Sequence, residues 1–184
     1  ERPLYRAVFG LASRPAPLES VSGDACRHFC DSAGRAQMLL CDGMGTGKPA
    51  AVDGQMAAKL TAQLRQAGFA AESAARLVNV ALGLKNAGQE SGATLDLLPL
   101  DLYTGRAGLF KAGAAPSFLC RAGVVRTLDG ASLPMGVLPT VTGRSTALTL
   151  DVGDTVMMVS DGALCDGSAW LCDQLPLSTR LGQS

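Results

Sequence analysis

Residues 49–84 form an alanine-rich stretch that reads as two helices, and nearly every other apolar run in the chain reads as β-strand. That order of elements limits the chain to a mixed α+β layer structure with antiparallel sheets. In the first helix, residues 49–66, Val52, Met56, Leu60 and Leu64 recur every four residues, and Gly68 is placed as its stop. In the second, residues 72–84, Ala74, Leu77, Val78, Ala81 and Leu82 follow the spacing of one buried helical face. Alanine at many positions of both helices favours helix and permits close packing.

Strands are expected at residues 5–13, 26–30, 36–41, 93–102, 106–112, 117–121, 124–128, 146–150 and 155–160. Pro15 and Pro17 end the first of these, and residues 86–92 read as a polar loop. The stretch Asp31-Ser32-Ala33-Gly34-Arg35 has turn chemistry and joins the second and third runs into a hairpin. With 184 residues, 47% of them hydrophobic and 17% charged, the chain is expected to form one globular domain over residues 1–184.

Lys plus Arg and Asp plus Glu both number 16, so no broad positive field exists to bind nucleic acid. Zero net charge leaves self-association open. No run of about eighteen apolar residues offers a membrane span, and residues 1–6 lack the pattern of a secretory signal. Most of the six cysteines sit in apolar runs and read as reduced thiols acting as small hydrophobes. A cytoplasmic domain is therefore expected, with a membrane-anchored parent chain left open. Cys26, His28 and Cys30 alternate along a strand and could offer three soft ligands, but structural zinc wants a fourth, and His28 is the lone histidine.

Two segments share one design. Met38-Leu39-Leu40-Cys41 runs into Asp42-Gly43, and Met157-Met158-Val159-Ser160 runs into Asp161-Gly162, so each strand ends in a carboxylate followed by a flexible glycine. Asp24 opens the strand that pairs with the first. Asp24 and Asp42 each lie nine residues from Ala33, the centre of the hairpin turn. That register sets them opposite one another, about 5 Å apart between Cα atoms. Two carboxylates so close repel by roughly 3 kcal/mol at an effective dielectric near 20, which a bound cation would relieve. All-oxygen ligands favour Mg2+ or Mn2+, and Asp161 is the natural third ligand. Asp-Gly is first of all a turn signal, and a one-residue slip would destroy the symmetry.

Met44-Gly45-Thr46-Gly47-Lys48 fails the phosphate-loop pattern, because Pro49 stands where Ser or Thr is required. Pro49 instead suits a helical first turn, and the two glycines let the chain leave the acidic segment sharply. His28 has no nucleophile beside it and no Gly-x-Ser-x-Gly elbow is present, so a hydrolase built on this chain would use metal-activated water.

An ordered set of segments extends this reading. Val21-Ser22-Gly23-Asp24, Cys41-Asp42-Gly43-Met44-Gly45-Thr46-Gly47, Ala93-Thr94-Leu95-Asp96-Leu97, Lys111-Ala112-Gly113 with Pro116-Ser117-Phe118, Leu133-Pro134-Met135-Gly136 and Ser160-Asp161-Gly162 follow one another. Together they resemble the PPM-type (protein phosphatase 2C-like) domain of stage II sporulation protein E. The resemblance implies a β-sandwich flanked by helices and a serine/threonine protein phosphatase holding two Mn2+ or Mg2+ ions. Asp24, Asp42 and Asp161 would be ligands, Gly43 would add its backbone carbonyl, and metal-bound water would attack the phosphorus. It also implies a phosphorylated anti-sigma-factor antagonist as substrate, and a regulatory switch near a dimer interface in the helix pair 49–84.

The family normally ends in an Asp-Asp-x-Thr segment and a last core strand that complete the metal site. After Asp161 this chain has only 23 residues, with Asp166 and Asp173 but no such segment. The expectation is thus a domain short of its usual end, lacking a ligand and a strand. Two functions follow: a metal-dependent phosphatase, or a catalytically weak phosphatase-like module that binds a phosphorylated regulator.

Overall fold

The computed structural model describes residues 2–31, 33–85 and 92–181, with side chains as far as residue 176. Strands β1 (Asp24–Cys30) and β2 (Arg35–Asp42) form the expected hairpin, paired from Asp24↔Asp42 to Cys30↔Ala36. The turn is held by Asp31, whose Oδ1 accepts the N–H groups of Ala33 and Arg35 at 3.0 Å each. Strands β3 (Leu95–Asp101), β4 (Arg106–Ala112) and β7 (Arg144–Thr149) complete a five-stranded antiparallel sheet in the order β1-β2-β3-β4-β7. A second sheet runs β6-β5-β8, from β5 (Ser117–Arg121), β6 (Val124–Leu128) and β8 (Thr155–Met157).

The larger sheet is covered on both faces, so its strands lack simple burial alternation. Leu39, Cys41, Leu95 and Leu97 pack with Ala57, Ala58, Val78 and Leu82 of helices α1 (Gly47–Gln66) and α2 (Ala71–Lys85). Met38, Leu40 and Leu98 point the other way, toward Val156 and Met158 beside the second sheet. Helix α3 (Ala169–Leu181) closes the far side, seating Leu171 and Leu175 on Phe118 and Cys120. The result is a β-sandwich with helices on both outer faces.

Several sequence expectations are corrected. Residues 5–13 are not a strand: among the described residues the segment's backbone pairs only through the bond from Tyr5 N to Leu102 O at 2.9 Å, and Val8 and Leu11 face solvent. Asp24 therefore opens the first strand of the fold. Strand β8 stops at Met157 rather than residue 160, its last register partner being Phe118 of β5. β3 and β7 are likewise displaced from the expected 93–102 and 146–150. Helix α3 was not foreseen at all. Cys30, Cys165 and Cys172 are exposed, so only Cys41 and Cys120 behave as fully buried small hydrophobes. Within the expected polar loop, residues 86–91 lie outside the described residues.

The helices lie where expected, but their buried faces do not. In α1 the buried positions are Ala50, Asp53, Gly54, Ala57, Ala58, Thr61, Ala62 and Arg65; Val52 is 53% exposed, and Met56, Leu60 and Leu64 only flank the core. In α2, Ala74, Ala75, Val78, Asn79 and Leu82 are buried, Leu77 is 47% exposed and Ala81 is only partly covered. The cause is a helix set too close to the strands for large side chains. A Cβ on Gly43 would stand 1.8 Å from the carbonyl oxygen of Ala50, and one on Gly54 would stand 2.2 Å from that of Gly23. Backbone meets backbone here.

Candidate metal centre

The sandwich brings three chain segments together at one end. Asp24 starts β1, Asp42 ends β2 as its register partner, and Asp161 begins a short 3-10 turn (Asp161–Leu164) after β8. Ser160 Oγ donates to Asp24 Oδ2 at 3.0 Å, tying the third segment to the first across 136 residues of sequence. Asp42 is fixed from the other side: its N–H donates to Thr94 Oγ1 at 3.0 Å, and its carbonyl accepts Thr94 N–H at 2.8 Å. Gly43 N–H donates to Gly23 O at 3.2 Å. A Cβ on Gly23 would find the Gly43 carbonyl oxygen at 3.2 Å and Asp42 Oδ1 at 3.3 Å, so those two oxygens close on the same point.

Burial pushes the Asp42 carboxyl up to about 7, and the charges of Asp24 and Asp161, both within hydrogen-bonding reach of it, push in the same direction. The four sequence-predicted groups, Asp24, Asp42, Gly43 and Asp161, are thus neighbours. Among the described residues no group of three or more His, Cys, Asp or Glu side chains is arranged so as to hold a metal ion. Asp166 and Asp173 are both exposed. Cys26 is half-buried and Cys30 exposed on β1, where the His28 ring stacks on Phe9 with centroids 4.6 Å apart.

Two of the three acids, Asp42 and Asp161, border a cleft of about 140 Å³ between the sheets, lined also by Leu40, Thr94, Asp96 and Ala115, with Asp24 behind them as the register partner of Asp42. Gly45 and Gly47, both with left-handed backbone (φ 89° and 67°), carry the chain from the cleft into α1. That matches the exit-turn reading of these glycines.

Sequence reasoning missed what lies under the cleft. Lys111 and Asp96 face each other across β3 and β4, each only 1% exposed, with Lys111 Nζ 2.6 Å from Asp96 Oδ2. The ammonium also donates to Ala115 O at 2.6 Å and to Ser117 Oγ at 2.8 Å, and that hydroxyl donates to Asp96 Oδ2 at 2.5 Å. Burial raises the Asp96 carboxyl, with Lys111 and Ser117 opposing. Asp96 Oδ1 is buried without a protein partner, an arrangement that costs about 1–3 kcal/mol. The available signal was a lysine inside the apolar run Leu109-Phe110-Lys111-Ala112, since a buried lysine demands a counter-ion.

The family model described as Stage II sporulation protein E (SpoIIE) matches residues 32–169. The chain belongs to the SpoIIE family. It is 30% identical over 142 residues to the stage II sporulation protein E of Priestia megaterium, covering 77% of this chain and 24% of that protein. It thus spans about a quarter of that relative's length. The solved PP2C phosphatase domain of SpoIIE from Bacillus subtilis, with a fragment of its regulatory domain, superposes with a TM-score of 0.74. Identity there is 26%, over 85% of this chain and 48% of that one. RsbX in complex with magnesium shares the fold at 19% identity and a TM-score of 0.67, over 81% of this chain and 71% of that one. The fold is therefore that of the PP2C-type phosphatases, as the ordered motifs implied. Among the described residues no helix is long and apolar enough to cross a membrane.

The donor chemistry, though not the present arrangement, is the type a hard divalent cation takes: three mutually repelling carboxylates and a carbonyl oxygen, with Asp42 and Asp161 bordering a cleft that has an unpartnered buried oxygen of Asp96 in its wall.

Proposed function

We propose that residues 1–184 act as one catalytic domain, a Mn2+- or Mg2+-dependent phosphatase that removes phosphate from serine or threonine of a partner protein. The convergence of Asp24, Asp42 and Asp161 beside the inter-sheet cleft, which Asp42 and Asp161 line, carries this reading. Asp24, Asp42 and Asp161 would hold the cations, with the Gly43 carbonyl as a neutral ligand. Bound ions would supply the acidity that activates water and the charge that offsets a phosphoryl group. Thr94 keeps Asp42 in place through its two hydrogen bonds, and Ser160 does the same for Asp24.

The proposed substrate, in keeping with membership of the SpoIIE family, is a phosphorylated anti-sigma-factor antagonist met on the cytoplasmic side. Leu77, Val80 and Leu84, an exposed apolar stripe on α2, form the surface through which two copies would associate.

The test is phosphate release from a phosphoserine protein, titrated with Mn2+, for the wild type and Asp42→Asn. Asparagine keeps the shape but removes the charge, so Mn2+-dependent turnover should fall by a factor of about a hundred or more, as expected when a charged group acting in the transition state is lost. Equal turnover by both proteins would refute the assignment. Phosphoprotein binding without phosphate release by the wild type would mark a binding module instead.

A further inference from the structure

The buried pair beneath the cleft holds more than a structural staple requires. Lys111 has three ammonium protons and three acceptors: Asp96 Oδ2, Ala115 O and Ser117 Oγ. Ser117 sends its own proton to the same Asp96 Oδ2. Both donors that reach Asp96, from Lys111 and from Ser117, converge on one carboxylate oxygen, and the other, Oδ1, takes none although it is fully buried. A counter-ion for Lys111 alone would be better served by sharing the donors between both oxygens.

The position of Asp96 suggests why. It pairs with Leu40, two residues before Asp42, while Asp42 itself is bonded to Thr94, two residues before Asp96. Alternate residues share a sheet face, so Asp42 and Asp96 both look toward the second sheet, and both line the cleft with Asp161. Two strand residues span about 7 Å, which leaves Asp96 within reach of a water held by a cation on Asp42. Mg2+ and Mn2+ keep several of their waters when protein-bound.

We propose that Asp96 is a positioning residue of this centre, its Oδ1 accepting a hydrogen bond from the hydration shell of a divalent cation held by Asp42 and Asp161. Lys111 and Ser117 fix Oδ2 and so hold Oδ1 toward the cleft, the outer-shell support typical of metal sites. This inference rests on the proposed metal-dependent function.

The competing role, a plain counter-ion, separates in a double variant. Asp96→Leu with Lys111→Met replaces the buried pair by apolar side chains of similar volume, a change that leaves folded stability equal or higher. Mn2+ binding to the 184-residue chain is measured by titration calorimetry, beside thermal melting without metal. Mn2+ affinity should fall at least about tenfold in the folded double variant. Asp96→Asn provides the second arm: its amide still accepts from Lys111 but donates where Oδ1 accepts, and the same tenfold loss is expected. Wild-type Mn2+ affinity in either folded variant would overturn the role of Asp96 and leave the proposed function standing. Failure of the wild type itself to bind Mn2+ would remove both.

Discussion

The two faces of the larger sheet obey different rules. Toward α1 and α2 it is apolar and so close-packed that glycine backbone touches helix backbone; toward the second sheet, at the cleft end, it carries Asp42 and Asp96 from the same two strands that bury Leu39, Cys41, Leu95 and Leu97 on the other side. One strand thus transmits position between a rigid apolar layer and a charged one. Stability is concentrated on the helix face, and charge that opposes folding is tolerated on the cleft face because the first holds it in place.

The sharpest way to break that contrast is on the helix face. Gly54→Ala should gain up to about 1 kcal/mol from helix propensity, yet its new methyl would lie 2.2 Å from Gly23 O, backbone that cannot swing aside. Net destabilisation of about 3 kcal/mol or more is expected in urea unfolding, together with weaker Mn2+ binding, because Gly23 precedes Asp24. Gly54 tests helix-to-site coupling better than Leu60, which only flanks the core. A neutral or stabilising Gly54→Ala would show that the helix stands off the strands.

On the cleft face, Lys111→Met alone leaves Asp96 buried without its cation and should destabilise by about 3–5 kcal/mol. Asp42→Asn should act the opposite way, raising metal-free stability by about 1 kcal/mol as repulsion from Asp24 and Asp161 is relieved, while Mn2+ binding is lost. Destabilisation by Asp42→Asn without metal would mean that the acids are held by favourable contacts.

A smaller effect sits at the hairpin turn. Burial alone would raise the Asp31 carboxyl, but bonds from Arg35 and Ala33 hold it below its usual 3.8. A depressed carboxyl stabilises the fold above the unfolded value and loses that contribution as pH falls through the folded one. Asp31→Asn should therefore cost about 1 kcal/mol near neutral pH and almost nothing once the pH has fallen through the depressed folded value, measured by denaturation across the acid range. Smallest of all, Leu77→Glu on the exposed stripe of α2 should change monomer stability by no more than about 0.5 kcal/mol. Sedimentation should show it shifting any dimer toward monomer.

What the sequence made legible follows the same division. The Asp24–Asp42 register could be read because two acids equidistant from a turn must meet if the hairpin closes without a bulge, and Asp161 joined them through a repeated strand-Asp-Gly pattern. The buried face of α1 was misread because large apolar residues signal burial only where the gap admits them, and here Gly43 and Gly54 leave room for little more than a methyl. The alternation of residues 5–13 resembled a strand, but alternation predicts pairing only where a neighbour exists. Helix α3 was missed because Pro176 sits inside it. Asp96 and Lys111 stood in a quoted motif, yet nothing in one sequence tells which oxygen of a buried carboxylate stays unpartnered.

The hydrogen bond from Ser160 to Asp24 also sets a timetable for biosynthesis. Its two ends are 136 residues apart, so at ribosomal rates of about 5–20 residues per second the β1–β2 hairpin emerges on the order of ten seconds before the segment that completes its acidic end. During that interval Asp24 and Asp42 can pair without Ser160 or Asp161 nearby. A nascent chain stalled in this window would display a hairpin with two of the three acids, and cation binding by ribosome-bound intermediates of increasing length should rise abruptly once residue 161 clears the exit tunnel.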